Sequence, residues 1–192
     1  SATVTATVTD LNDNTPVFSE TTYLSTLNDT DSVGTQLVIA TATDADIKSE
    51  FSRLTYSLIS EPNDGLFVVD SSSGTVTTVG SLVNSSGSHS LTLSAFDGSN
   101  TGTATLSVTV KDTTAPVITI SGSGTVTHEA ATSYTDLGAT ASDTLDGDLT
   151  GLVTSLSTVN TEAVGSYTVT YRVSDTNGNA AEPVVRTVNV VD

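Results

Sequence analysis

Between Asp10 and Asn14 the chain places four oxygen-bearing side chains, Asp10, Asn12, Asp13 and Asn14, within five positions, and Pro16 closes the run. Asp and Asn readily bond their own backbone in turns and gain little from a helix or a strand. A hard divalent cation, in contrast, needs several carboxylate and carbonyl oxygens held close together. Two readings of this segment are therefore open on its own residues, a solvated turn or part of a calcium site.

The residues beyond Pro16 bear on that choice. Phe18 and Tyr23, Val33-Gly34-Thr35, Ala42-Thr43-Asp44-Ala45-Asp46, Leu54-Thr55-Tyr56-Ser57, Phe67-Val68-Val69-Asp70 with Ser73-Gly74-Thr75-Val76, and Ala95-Phe96-Asp97-Gly98 succeed one another over about a hundred positions. With Asp10 to Pro16 as DxNDNxP, this series resembles the cadherin repeat, motif by motif and in order. From Pro116 onward the text changes. Asp112-Thr113-Thr114-Ala115-Pro116, Tyr134 to Ala139, Asp143 through Asp148, Gly165 to Tyr171 and Asp175 to Ala180 resemble the Ig-like repeats of large bacterial surface proteins.

The elements that must position these residues are strands. Thr, Ser, Val, Ala, Gly and Asp dominate the composition, and no window repeats apolar residues at helical spacing. Thr103 to Val110 alternates small apolar residues with Thr or Ser, as does Ala2 to Thr9. Tyr167, Val169, Tyr171 and Val173 alternate with polar neighbours and are expected on the inward face of a central strand, with Arg172 outward. We expect an all-β chain of two tandem Ig-like/cadherin-like Greek-key β-sandwiches joined by short calcium-binding linkers. Residues 1–10 are expected to be the last strand of a missing upstream repeat plus linker, 11–112 a cadherin-like domain and 113–192 a bacterial Ig-like domain. The chain reads as a segment of a larger protein.

In a sandwich of this type the leading segment, the loop between the second and third strands and the last hairpin share one end. The resemblance then implies that Asp44, Asp46 and Asp97 converge on Asp10 to Asn14, and that Asp143, Asp146, Asp148 and Asp175 converge on Asp112. It further implies that Asn12, the Asn14 carbonyl, Asp44, Asp46 and Asp97 hold a Ca2+ ion, with Asp10 and Asp13 serving ions shared with a preceding repeat. The pattern departs from the family lower down, where Asp29 replaces the usual Glu and Leu82-Val83-Asn84-Ser85 lacks the usual acids. Asp136 reads as structural. Two carboxylates about 4 Å apart repel by roughly 1 kcal/mol in water and about 4 kcal/mol at an effective dielectric near 20. Converging acids thus either splay apart or hold a cation.

Charge and composition exclude other functions. Five Lys plus Arg stand against 22 Asp plus Glu, a formal charge of −17 that repels nucleic acid and anionic membranes and attracts divalent cations. There is no cysteine, so disulfides do not staple either domain, and no apolar run is long enough to span a bilayer. His89 and His128 stand alone and read as ordinary strand or loop residues. No GxSxG elbow, HExxH helix or phosphate-cradling loop is present, and Asp143 to Asp148 lacks the order of an EF-hand, so an enzyme is not expected. The expected role is a calcium-binding spacer of an extracellular or cell-surface bacterial adhesin, monomeric and partnered by neighbouring repeats of its own polypeptide. The alternative is a domain that itself binds a cell-surface carbohydrate or protein. With no Trp and few aromatic residues, the chain offers little of the exposed aromatic surface that sugars favour.

Overall fold

The computed structural model describes residues 2–59 and 65–192. They divide between Lys111 and Asp112 into two compact units, each a β-sandwich with its own core. No helix among the described residues is long and apolar enough to cross a membrane.

The first unit contains β1 (Val17–Phe18), β2 (Thr22–Asn28), β3 (Gln36–Ile39), β4 (Ala42–Thr43), β5 (Thr55–Leu58), β6 (Phe67–Val69), β7 (Thr75–Thr78), β8 (Gly87–Phe96) and β9 (Thr101–Lys111). One sheet has the order β2-β9-β8-β5, a second β3-β7-β6, and β1 pairs with β4 as a short ribbon. All pairings are antiparallel except β2 with β9, where Tyr23 lies beside Leu106. The period of two decides which side chains go inside. Along β9, Gly102, Ala104, Leu106, Val108 and Val110 are buried, while Thr101, Thr103, Thr105 and Thr109 face solvent. Leu91, Leu93 and Ala95 of β8, Tyr23 and Leu27 of β2, Phe67 of β6 and Val76 of β7 complete the core with them. Phe18 packs edge-on against Tyr23, their ring centroids 6.2 Å apart, and so seats β1 on the sandwich.

Residues 2–10 form no strand, and the side chains of 2–9 are exposed. Their alternation suits a strand, but a strand needs a neighbour for its hydrogen bonds, and none of the described residues pairs with this segment.

Gly102 fixes where the chain enters the sandwich. A Cβ on Gly102 would lie 1.9 Å from the Pro16 carbonyl oxygen, so only glycine lets the segment before β1 cross β9 at this distance.

In the second unit, β10 (Val117–Ile120), β12 (Ala139–Asp143) and β13 (Gly147–Asp148) form one sheet. The other has the order β11 (Thr125–Glu129), β16 (Val184–Val191), β15 (Gly165–Arg172) and β14 (Thr154–Ser157), and a 3₁₀ turn at Thr150–Leu152 precedes β14. Val169, Tyr171 and Val173 are buried, Tyr167 is half-buried and Arg172 is exposed, the register that the alternation implies. β16 carries an unexpected resident. Val188 and Val190 point into the core, and the same period puts Arg186 there too, only 1% exposed.

Arg186 is accommodated because its donors find acceptors. Its Nε donates to Ser123 O at 3.1 Å, Nη2 donates to Ser121 O at 2.5 Å and Gly138 O at 3.3 Å, and Nη1 donates to Asp136 Oδ1. Asp136 also accepts from Tyr134 Oη at 2.9 Å, Tyr171 Oη at 2.5 Å and the Gly138 N–H at 2.9 Å. Burial pushes the Asp136 carboxyl up, but the two tyrosine hydroxyls, the Gly138 amide and Arg186 outweigh it and hold it below the ordinary value. Burial and the same carboxylate raise the Tyr171 hydroxyl well above its usual range. Asp136, which reads from sequence as structural, is thus the counter-charge of a core arginine.

This network sets how the second unit responds to mutation and to acid. Asp136→Asn is expected to destabilise it by about 3–5 kcal/mol, because the change strands a buried guanidinium. Adding Arg186→Met is expected to recover part of that loss; urea unfolding of the full chain followed by tyrosine fluorescence measures both. Since the folded carboxyl titrates below the unfolded value of about 3.9, its contribution is intact above that pH and falls away as pH drops through the folded value. The native chain should therefore show a steep acid limb that Asp136→Asn flattens. Separately, Gly102→Ala is expected to push Pro16 off β9 and cost the first unit about 1–3 kcal/mol. An unchanged melting transition in calorimetry would show that the close crossing is not needed.

Candidate metal centre

Strand register builds the candidate site of the first unit. In the β1–β4 ribbon Val17 lies opposite Thr43 and Phe18 opposite Ala42. Carrying the same register outward sets Pro16 against Asp44 and Asn14 against Asp46, and Asn14 Nδ2 does donate to Asp46 Oδ1. Further out, the Lys48 N–H donates to Asp10 Oδ2 at 2.9 Å. The β8–β9 hairpin supplies the third side. It turns at Asp97-Gly98, where Gly98 has φ +104°, and lies under the Pro16 crossing because Gly102 stands at the start of β9.

The ribbon and the hairpin bring oxygens from three distant stretches together. Carboxylate oxygens of Asp44, Asp46 and Asp97 all lie within 4.8 Å of one another, and Asp46 and Asp97 are only 6% and 4% exposed. Asn12 adds a fourth oxygen. Its Nδ2 donates to the Asp97 carbonyl at 3.4 Å, which leaves Oδ1 3.0 Å from Asp97 Oδ2 and 3.3 Å from Asp46 Oδ2. Turning that amide over would present N–H to the two carboxylates instead. Asp44 Oδ1 accepts the Asp46 N–H at 2.9 Å, while its Oδ2 is buried with no hydrogen-bond partner among the described residues. Nor, among those residues, does any Lys, Arg or His pair with the three aspartates.

Asp97 is held as an anion. Burial pushes its carboxyl up, but the N–H groups of Asn100 and Ser99, both 2.7 Å from Oδ1, together with the Asn100 side chain, bring it below the ordinary value. The donor set is all oxygen, with no His or Cys, as a hard cation such as calcium requires and zinc does not. Asp13 stands at the rim, exposed, its Oδ1 accepting from Asn14 Nδ2 at 3.2 Å.

Asn100 carries no signal in the sequence that marks it for this site. Its Nδ2 donates to Asn14 O at 2.8 Å and Asn12 Oδ1 at 3.2 Å, and lies 3.4 Å from Asn12 O. It sits three positions beyond Asp97, at the far end of the same turn, where only the hairpin geometry reveals its reach.

The second unit repeats the plan with its acids already engaged. Asp143 Oδ1 accepts the N–H groups of Leu145 and Asp146 at 2.8 and 3.0 Å in the β12–β13 turn, and its Oδ2 is buried without a partner among the described residues. Asp146 accepts from the Thr176 N–H at 2.7 Å and the Thr176 hydroxyl at 2.9 Å. Asp175 Oδ1 accepts the N–H groups of Asn177 and Asn179 at 3.0 and 2.7 Å. Asp112, 8% exposed, takes a 2.9 Å hydrogen bond from Asn177 Nδ2. Asp148 faces solvent and accepts the Thr150 N–H at 2.9 Å just before the 3₁₀ turn, and hydrogen bonds from Thr150 lower its pKa. Asp112, Asp146 and Asp175 are therefore linked through Thr176 and the loop asparagines. Among the described residues, three carboxylates share one point only at Asp44, Asp46 and Asp97.

Comparisons with known proteins agree with this division. The cadherin domain family matches residues 23–111, and the Ig-like domain family of bacterial surface proteins matches residues 118–190. Protocadherin Fat 1 of Homo sapiens is 29% identical over 216 residues, covering 98% of this chain, and Protocadherin Fat 4 of Mus musculus is 35% identical over 115 residues, covering 58%. The chain spans only 5% and 2% of those two proteins. Among solved structures, Protocadherin Gamma B2 extracellular cadherin domains 3-6 matches with a TM-score of 0.63 at 21% identity, covering 96% of this chain and 53% of that one. Mouse Cadherin-23 EC22-24 matches with a TM-score of 0.58 at 21% identity, over 96% and 67%. At such identity these structures speak for the fold. By these matches, a segment similar to the cadherin domain, residues 23–111, is followed by one similar to the bacterial surface Ig-like domain, residues 118–190.

Proposed function

We propose that this chain is a calcium-binding extender module of a bacterial cell-surface adhesin, in which Ca2+ ties the segment leading into each domain to that domain's own loops. One observation carries the reading. Carboxylate oxygens of Asp44, Asp46 and Asp97 lie within 4.8 Å of one another and Asp44 Oδ2 is buried without a hydrogen-bond partner among the described residues, with no cationic side chain of those residues to offset the three acids. Carboxylates gathered this closely make sense around a divalent cation, which takes six to eight oxygen ligands in loose geometry.

Asn12, the Asn14 carbonyl, Asp44, Asp46 and Asp97 would form the principal site, with Asp10 and Asp13 at its rim. Asp112, Asp143, Asp146 and Asp175 would form a weaker second set, since their oxygens are already occupied by N–H and O–H donors and within this set only Asp143 Oδ2 is both buried and free of such a bond. Asp148 would contribute least, being exposed and already bonded to the Thr150 N–H. A leading segment held at Asn12 and Asn14 cannot swing about its domain, so a row of such modules resists bending and keeps whatever lies at its tip away from the cell. The bacterial assignment draws on the family matched by the second domain and on the absence of cysteine; the curated relatives named above are animal protocadherins.

Calorimetry of the full chain tests this. With a dissociation constant of about 10⁻⁴ M and about 5 mM Ca2+, binding is expected to stabilise the first domain by about 2 kcal/mol, raising its melting temperature by roughly 10 °C over that in EDTA. Asp97→Asn is expected to abolish most of that rise while leaving the second domain's transition in place. Identical traces with calcium and with EDTA would end the proposal.

A further inference from the structure

We infer that Asn100 is the positioning residue of the calcium site, the side chain that holds the Asn14 carbonyl and the Asn12 amide in place beside the acids; this rests on the calcium reading above. Asn100 Nδ2 is committed first by Asn14 O, at 2.8 Å, so a donor faces Asn12 from a fixed place. From there it lies 3.2 Å from Asn12 Oδ1. The Asn12 amide that it touches lies in turn 3.0 Å from Asp97 Oδ2 and 3.3 Å from Asp46 Oδ2, at the heart of the site. The main chain of Asn100 works on the opposite side of the site, its N–H on Asp97 Oδ1 at 2.7 Å and its carbonyl accepting the Asp97 N–H at 3.3 Å. One residue thus fixes three oxygen donors, two of which lie far from it along the chain.

The second domain contains the same device in a loop of different sequence. Asn179 ends the turn that begins at Asp175, donates its N–H to Asp175 Oδ1 at 2.7 Å and accepts the Asp175 N–H at 3.1 Å. Its Nδ2 reaches back to the leading segment, donating to Asp112 O at 3.3 Å as well as to Asp175 Oδ2 at 2.7 Å. Two independent hairpins, Asp97-Gly98-Ser99-Asn100 and Asp175-Thr176-Asn177-Gly178-Asn179, therefore close on an asparagine whose amide clasps the segment entering its own domain. In both cases the amide acts as a donor. A carbonyl oxygen has two lone pairs, so Asn14 O can accept from Asn100 and still face a cation. The clasp orders the segment before any ion arrives, and binding is spared that loss of freedom.

The test is calcium titration calorimetry on the full native chain, Asn100→Ala and Asn100→Asp, with melting in EDTA to establish that each is folded. Asn100→Ala is expected to weaken the principal site about tenfold, the worth of the lost hydrogen bonds. Asn100→Asp discriminates between roles. It adds a negative charge and keeps the size, so it would tighten binding if residue 100 acted as a ligand or through its field; as a donor replaced by an acceptor it is expected to weaken binding, again about tenfold. Affinity in Asn100→Asp equal to or above that of the native chain would overturn the inference, as would native affinity in Asn100→Ala. Should Asn100→Ala fail to fold, the isosteric Asn100→Asp decides alone. Absence of uptake by the native chain would remove the calcium reading together with this one, whereas native uptake with indifferent variants would remove only the role of Asn100.

Discussion

Like charge gathered by strand register is the constraint on which the first domain turns. The β1–β4 ribbon fixes which residue before β1 meets which residue after β4, and the close crossing at Gly102 brings the Asp97 hairpin against both. None of these contacts is itself electrostatic. Packing of Phe18 on Tyr23 and hydrogen bonding in the ladder drive them, and the aspartates are carried along. A fold assembled by its apolar face therefore concentrates carboxylates at one end, where repulsion must be offset by something other than a protein cation. That an ordinary sandwich core sits beneath the site explains how the loops can be held in place while the charges oppose it.

The two domains handle buried charge in different ways. In the second, Arg186 enters the core and Asp136 neutralises it internally, with Tyr134, Tyr171 and main-chain carbonyls satisfying what remains. No outside ion is needed for that network, and its stability depends on pH through one carboxylate. In the first, Asp46 and Asp97 are deeply buried, and among the described residues their carboxylates are offset by amide donors, from Asn14, Ser99 and Asn100. Amide dipoles hold an anion in place without cancelling its charge. On the calcium reading, the first domain takes its counter-charge from outside, whereas the core of the second carries its own.

Much of the architecture was legible in the sequence because period-two alternation and turn chemistry are local signals. Thr103 to Val110 and Tyr167 to Val173 declare strands and their inner faces, and Asp97-Gly98 declares a turn. The same rule, applied to Val-Val-Arg-Thr-Val-Asn-Val-Val, places Arg186 inside beside Val188 and Val190, yet a charged residue ordinarily reads as exposed, and only the tertiary partners show how a guanidinium is satisfied there. Gly102 and Asn100 are not legible in this way. Their roles arise from where Pro16 and the Asn12-to-Asn14 segment cross them, some 86 positions apart in the chain, and no local pattern encodes that crossing. For the acids the resemblance indicated which loops come together, but not that Asp146 and Asp175 would already be engaged by Thr176 and the loop asparagines.

A crystal grown in calcium, at a resolution that distinguishes oxygen from nitrogen by its contacts, is expected to show an ion about 2.3–2.6 Å from Asn12 Oδ1, the Asn14 carbonyl and oxygens of Asp44, Asp46 and Asp97. Finding the Asn12 nitrogen turned toward Asp46 and Asp97, with no ion between them, would contradict the account at its root.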